Sequence, residues 1–120
     1  MALQAYQTTA ARTESPRELE YRLFGFVTGE LMRAKAEGRA DLSKFAEAID
    51  RNRRMWSAFA VDCSGEGNEL PKELRASIMS LSVWVSRYSS EVIQDGADID
   101  PLIDINKDVM QGLAPNAAAA

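Results

Sequence analysis

The sequence predicts an all-α protein, a small single-domain bundle of about four helices joined by short loops. Four segments repeat large apolar residues at alternating three- and four-residue spacings, which places those residues on one face of a helix. Glycines, prolines and helix-capping residues separate the four segments. No segment alternates apolar and polar residues as a strand does, and no internal repeat is apparent.

Chain length, composition and net charge narrow the class of protein further. A chain of 120 residues is long enough for one domain that buries roughly two thirds of its unfolded surface. Its 46% hydrophobic and 27% charged residues are typical of an ordered globular protein. The net charge of −4 predicts no general attraction to nucleic acid or to an anionic membrane. Neither a membrane-spanning apolar run nor a secretory signal is apparent, so we expect a cytoplasmic protein.

The first helix has a clear start and end. Residues 1–14 carry only a weak pattern, Leu3, Tyr6 and Ala10, and are predicted to form an N-terminal arm or short helix. Residues 15–18 read Ser-Pro-Arg-Glu, which combines a serine cap, a proline in the first turn and the glutamate of a capping box. Gly38 is the predicted stop.

The apolar residues of this first helix are predicted to form one broad buried face. Gly25 and Gly29 lie four residues apart and are predicted to let another helix approach closely. The face comprises Leu19, Leu23, Phe26 and Val27, broadened by Phe24, Leu31 and Met32.

The second helix is predicted to follow a cap at Asp41 and to cover residues 42–62. Asn52 interrupts its apolar face, and we interpret it as a buried amide that fixes helix register, in preference to a hydrogen bond to a partner. The face comprises Leu42, Phe45, Ile49, Trp56, Phe59 and Cys63.

The third helix, from about Pro71 to about Gly96, is predicted to be the central one, because it is apolar on more than one side. The glycine-containing residues 64–70 form the turn before it. A second apolar line lies beside its main face. The main face comprises Leu74, Ile78, Leu81, Val85, Tyr88 and Val92, with Trp84 between Leu81 and Tyr88, and the second line comprises Ala76, Met79 and Val83.

The last helix is predicted to begin at Asp100 as cap and Pro101 as first helical residue. Its face comprises Leu102, Ile105, Val109 and Leu113. The predicted organisation is therefore an arm at 1–14, a helical domain at 15–113 and a flexible tail at 114–120.

Catalytic and metal chemistry are not indicated by the residues. The chain has no histidine, which removes the commonest general base and imidazole ligand. Cys63 is the only cysteine. The aspartates at 95, 98, 100 and 104 lack the glycine and terminal glutamate of a calcium loop, and we interpret them as acids favoured at a helix start. We expect no enzyme activity, no cofactor and no metal.

Three arginines, Arg51, Arg53 and Arg54, offer a possible RNA-binding site as an alternative. Glu47 precedes Arg51 by four residues and Asp50 precedes Arg54 by four, which is the favourable orientation for ion pairs along a helix. A paired, solvated face is the preferred interpretation, so nucleic acid is not an expected partner.

An apolar groove for a partner helix is the preferred functional site. The third helix carries more apolar surface than one contact uses, and a groove lined by tryptophan and methionine suits an amphipathic helix. The predicted partner-binding residues are Tyr6, Trp56, Met79, Val83 and Trp84.

Four sequence blocks closely resemble the FlaF family, the flagellar biosynthesis regulators of alphaproteobacteria. The resemblance runs from about residue 3 to 113, and its blocks are residues 20–24 (EYRLF), 48–56 (AIDRNRRMW), 74–78 with 83–85 (LRASI, VWV) and 99–106 (IDPLIDIN).

The resemblance implies a cytosolic, flagellin-binding secretion chaperone that couples flagellin synthesis to export. It also implies a functional link to FlbT, which restrains flagellin translation. Flagellins have amphipathic terminal helices that pack only on polymerisation, so these helices are the expected partner. The alternatives are an RNA-contacting regulator of flagellin mRNA, or an adaptor that binds an FlbT-like regulator and never contacts flagellin.

Overall fold

The computed structural model describes residues 15–114, and this part of the chain contains four α-helices and no strand. The helices are α1 (Pro16–Glu37), α2 (Leu42–Ser64), α3 (Lys72–Asp95) and α4 (Asp100–Leu113). The predicted all-α fold is therefore confirmed. All three connections between these helices are short, as expected for a helix bundle.

Capping side chains set the starts of two helices, α1 and α2. The Ser15 hydroxyl accepts a hydrogen bond from the Glu18 amide at 3.1 Å, and the Asp41 carboxylate accepts one from Lys44 at 3.1 Å. The start of α4 was predicted one residue late. Asp100 is its first helical residue, and the Asp98 carboxylate accepts the Asp100 amide at 3.0 Å.

Two glycines with positive φ end α1 and α3. Gly38 has φ 75° and Gly96 has φ 74°, a conformation that a residue with a side chain adopts only with strain. The Gly38 amide donates to the Ala34 carbonyl, which uses one of the carbonyls left open at the end of α1. Both predicted stops are confirmed.

The four helices pack in a ring, with α1 between α2 and α4, and α3 between the same two neighbours. The contact between α2 and α3 is the most extensive, and that between α3 and α4 the smallest. Consequently α1 and α3 lie diagonally across the bundle, and each has one side with no neighbouring helix among the described residues.

Aromatic contacts fill the centre of the bundle. Phe24 of α1 packs edge-on against Trp56 and Phe59 of α2, with ring centroids 5.4 and 5.3 Å apart. Of the residues predicted to be buried, Ile49, Trp56, Phe59 and Val85 are buried, whereas Leu81 and Tyr88 are half-buried at the edge.

A polar cluster of four buried side chains, Thr28, Asn52, Trp56 and Asn106, joins α1, α2 and α4 inside this core. The Asn106 amide donates to Asn52 Oδ1 at 2.8 Å and to Thr28 Oγ1 at 3.1 Å. Its oxygen accepts from Trp56 Nε1 at 2.8 Å. The prediction that Asn52 is a buried amide in the helix contact is confirmed.

The predicted face of α1 is wrong in part. Phe24, Val27 and Leu31 are buried, but four other members are exposed: Leu19, Leu23, Phe26 and Met32. The apolar residues of α1 span more of its circumference than α2 and α4 cover. Gly29 does not mark a close helix contact either, since a Cβ built there would meet no atom within 4 Å.

Arg39 lies in the connection between α1 and α2, and its hydrogen bonds link this connection to the end of α3. Its guanidinium donates to the carbonyls of Val92 at 2.8 Å and Ala97 at 2.9 Å, and lies 4.5 Å from the centre of the Phe45 ring. These carbonyls lie in the last turn of α3 and just beyond it, where intrahelical partners are lacking.

Candidate partner-binding surface

The side of α3 that faces no other helix carries three exposed apolar residues, which we call the α3 face: Met79, Val83 and Trp84. Their exposed fractions are 42%, 56% and 38%. They lie away from Ile78 and Val85, which are fully buried. Met79 and Val83 belong to the predicted second apolar line of this helix, to which Trp84 was not assigned, and no described element covers the three residues.

The α3 face combines a movable part with a fixed part. Met79 and Val83 are four residues apart on one line, whereas Trp84 lies about 100° further around the helix. The Trp84 ring stacks on Tyr88 at 4.9 Å, and the Tyr88 hydroxyl donates to the Asp98 carbonyl at 2.7 Å. Trp84 is thereby held in place, while Met79 is a flexible side chain that can adapt to a partner.

The three residues of the α3 face lie in an uncharged segment of α3, and the exposed Arg87 lies one helical turn beyond Val83. Residues 76–86 of α3 contain no acidic or basic residue, and four of them are serines. A serine surface loses little when it is covered, because its hydroxyls can bond back to the helix backbone. The chemistry of this surface suits an apolar partner better than a charged one.

One of the five predicted partner-binding residues, Trp56, is not on this surface. Trp56 is fully buried, and its Nε1 donates to Asn106, so it contributes to the core and contacts no partner of the folded protein. Its place on the apolar face of α2 explains this burial. Tyr6 lies outside the described residues.

Sequence reasoning missed a second exposed apolar surface, the α1 stripe, formed by Leu19, Leu23 and Phe26. Their exposed fractions are 46%, 49% and 63%. The available signal was that α1 has apolar residues around more than half of its circumference. A helix of this kind cannot bury every large residue against two neighbours.

The first of the three arginines is held between two helices. Arg51 donates to Glu47 on its own helix at 3.0 Å and also pairs with Glu30 of α1. Its charge is therefore balanced by two carboxylates at the contact between α1 and α2.

The other two arginines share one carboxylate. Arg53 binds one oxygen of Asp50 at 2.7 Å, and Arg54 Nε binds the other at 2.8 Å. Hydrogen bonds from Arg53 and then Arg54 hold the pKa of Asp50 below its usual value. All three predicted RNA-contacting arginines are therefore engaged in ion pairs within the protein.

Comparison with known proteins adds the family. The sequence profile of the family described as flagellar protein FlaF matches residues 2–113. The chain belongs to the FlaF family. No curated protein and no solved structure shows significant similarity to it. The family match covers every described helix and most of the segment before α1, and it confirms the resemblance found in the four sequence blocks.

The end of this FlaF-family bundle at the start of α1 contains an open, acidic cavity of about 900 Å³. Glu20 and Asp62 both line it. Burial of the Glu20 carboxyl, followed by the charge and hydrogen bonding of Asp62, raises the pKa of Glu20 to about 7. Burial also raises the pKa of the neighbouring Cys63 thiol to about 11, which makes it a poor nucleophile.

The Glu20 carboxyl predicts a pH-dependent stability. The unfolded chain releases this proton near its ordinary pKa of 4.5, whereas the folded protein keeps it until about pH 7. The unfolded state therefore binds fewer protons between these values, so stability falls as pH rises through this window. We expect Glu20→Gln to melt at a higher temperature than wild type at pH 8 and at a similar temperature at pH 4.5.

Melting curves followed by circular dichroism between pH 4.5 and 8 measure this effect. Because Glu20 is half-buried, solvent screening keeps the difference small. Glu66→Gln is the matched control, since Glu66 is an exposed residue that lines the same cavity. A pH-independent difference between Glu20→Gln and wild type would contradict the raised pKa.

Within residues 15–114, no group of three or more acidic, histidine or cysteine side chains is arranged to hold a metal ion. As predicted, aspartates of this cluster lie at the start of a helix: Asp100 is in the first turn of α4 and pairs with Lys35 at 2.7 Å, and the Asp98 carboxylate accepts the Asp100 amide. None of the described helices combines the length and the apolar character needed to cross a bilayer.

Proposed function

We propose that this FlaF-family protein is a cytoplasmic, non-enzymatic flagellin chaperone that couples flagellin synthesis to export. In this proposal the α3 face covers the apolar side of a flagellin terminal helix before polymerisation. The observation that carries it is the exposed, uncharged α3 face on a protein of a flagellar family.

The chemistry of the α3 face supports a helical ligand. An amphipathic helix presents large residues at three- and four-residue spacings and binds in a groove through a few of them. Met79 and Val83 repeat at the four-residue spacing. The Trp84 ring, held by its stacking on Tyr88, offers an aromatic surface next to Val83. The acidic remainder of the protein, with a net charge of −4, helps to keep such a complex soluble.

The alternative in which Arg51, Arg53 and Arg54 contact flagellin mRNA draws no support from the geometry. Phosphate binding needs cations that are available to the nucleic acid. Here each of the three guanidiniums already binds a carboxylate of the same protein. The other alternative, an adaptor for an FlbT-like regulator, becomes one outcome of the experiment below.

We expect Val83→Asp to abolish co-elution with flagellin in gel filtration while the protein stays folded. Val83 is 56% exposed, so a carboxylate there remains hydrated in the free protein but is buried without a partner in the complex. Loss of one anchor of such a contact costs roughly 2 kcal/mol or more, about thirtyfold in affinity.

Val61→Asp is the matched control. Val61 is an equally simple, 72% exposed valine on α2, and it lies outside the α3 face. We expect this variant to co-elute with flagellin as wild type does, with unchanged circular dichroism for both variants. Flagellin binding by Val83→Asp at wild-type strength would refute the assignment of the site. Wild-type protein that binds an FlbT-like regulator but no flagellin would favour the adaptor.

A further inference from the structure

Two polar atoms inside the bundle have no hydrogen-bond partner within residues 15–114: Asn52 Nδ2 on α2 and Ser89 Oγ on α3. Both residues are fully buried. Burying a polar group without a partner is costly, because folding removes the water that binds this group in the unfolded chain. In a native core, polar atoms of this kind commonly mark a bound water molecule or ion.

The hydrogen bonds of the polar cluster fix the orientation of the Asn52 amide. Trp56 Nε1 can only donate, so the Asn106 atom 2.8 Å from it is the oxygen. The nitrogen of Asn106 then donates to Asn52 Oδ1 at 2.8 Å. A flipped Asn52 amide would turn its own donor toward this nitrogen. Asn52 Nδ2 is therefore a buried donor that needs an acceptor.

Ser89 lies on the side of α3 that faces the core. It follows Val85 by four residues and precedes Val92 by three, and both valines are fully buried. A serine hydroxyl can accept hydrogen bonds and donate one. Ser89 thus offers the acceptor that the Asn52 nitrogen needs.

Asn52 and Ser89 lie in the same part of the contact between α2 and α3. Asn52 directly precedes Arg53, and Ser89 directly precedes Ser90, to which Arg53 donates. Residue numbers fall along α2 as they rise along α3, so the two helices are antiparallel here. Two hydrogen bonds show this direction: Ser82 to the Trp56 carbonyl at 3.5 Å, and Arg53 to Ser90 at 3.2 Å.

We propose that one internal water molecule binds between Asn52 and Ser89. It accepts a hydrogen bond from Asn52 Nδ2 and donates one to Ser89 Oγ. A buried water needs about two to four polar partners, and these two side chains supply the minimum. A water bridge joins polar atoms that are too far apart for a direct hydrogen bond.

This water connects α3 to the polar cluster. The side chains of the cluster themselves join α1, α2 and α4. With the water, polar contacts in the core reach all four described helices, including the one that carries the α3 face. The site is buried and does not depend on the partner proposed for that face.

A high-resolution crystal structure of the full-length protein tests the site directly. We expect an ordered water within about 2.7–3.2 Å of both Asn52 Nδ2 and Ser89 Oγ. A direct hydrogen bond between the two side chains would overturn the proposal. An ion or an unfilled space between them would also overturn it.

Nuclear magnetic resonance tests the same site in solution. We expect a nuclear Overhauser effect between water and the Asn52 side-chain amide protons of the wild-type protein, because an internal water stays close to them. Ser89→Val should abolish this signal, since the two methyl groups fill the space of the water and the variant lacks its acceptor.

Ser86→Val is the matched control, because Ser86 is an exposed serine on the same helix. We expect this variant to keep the signal, and circular dichroism checks that both variants are folded. A signal that persists in folded Ser89→Val would contradict the proposal, since the water would then bind elsewhere.

Discussion

Asn106→Ala should destabilise the fold by about 4 kcal/mol, the largest effect that we expect from a single substitution here. Asn106 is fully buried and is the central member of the polar cluster. Its removal leaves Trp56 Nε1 without an acceptor and leaves the oxygens of Asn52 and Thr28 without their donor. Each unpaired buried group costs about 1 to 3 kcal/mol, and the vacated volume adds a cavity term.

Urea denaturation followed by circular dichroism measures this loss. Gln111→Ala is the matched control, since Gln111 is an exposed amide on the same helix and should change stability by less than about 0.5 kcal/mol. A loss below about 1 kcal/mol for Asn106→Ala would mean that water or a rearranged side chain replaces the amide, and that the cluster does not hold the three helices together.

Arg39→Met should destabilise the protein by about 2 kcal/mol. Methionine keeps the apolar stem but removes both hydrogen bonds to the carbonyls of Val92 and Ala97 and the contact with the Phe45 ring. The cation also lies close to the negative end of α3, which adds to its effect. We expect faster amide hydrogen exchange in the last turn of α3 and in the connection to α4.

Two further variants separate the geometry of Arg39 from its charge. Arg39→Lys keeps the charge but cannot bind two carbonyls in a fixed fork, so most of the loss should remain. Arg33→Met removes an exposed arginine near the end of α1 and should have little effect. Full stability of Arg39→Lys would show that a point charge near the helix end is sufficient.

The helices themselves could be predicted because their signals are local. Ser15 and Asp41 cap their helices through contacts within three residues, and Gly38 and Gly96 end theirs through a backbone conformation that glycine favours. Periodicity also identified Ile49 as core. These features depend on neighbours in the sequence, so a single chain reveals them.

Features that depend on distant residues could not be predicted. Asn52 was recognisable as a polar residue in an apolar face, but its partner Asn106 lies 54 positions away. The Arg39 guanidinium binds the carbonyls of Val92 and Ala97, which lie 53 and 58 positions further along the chain. Nothing local distinguishes Arg39 from the other exposed arginines, since its role arises only when two connections meet in the bundle.

The candidate partner-binding surface could likewise be predicted only in part from the sequence. The surplus of apolar residues on α3 correctly suggested that some remain exposed, and Met79, Val83 and Trp84 are exposed. Trp56 is also a large aromatic residue that seemed suited to bind a partner, but it lies on the side of α2 that faces the core. Which of two apolar sides is covered depends on where neighbouring helices lie, and the spacing within one helix does not contain that information.

The polar cluster also constrains how sequences of this kind can diverge. Its members come from three helices. A change at Asn106 alone therefore removes a hydrogen-bond partner from Trp56, Asn52 and Thr28 at once. Replacement by apolar residues is tolerable only if several positions change together and keep the same volume. In relatives of this chain the four positions should therefore covary, and an apolar residue at one of them should accompany apolar residues at the others.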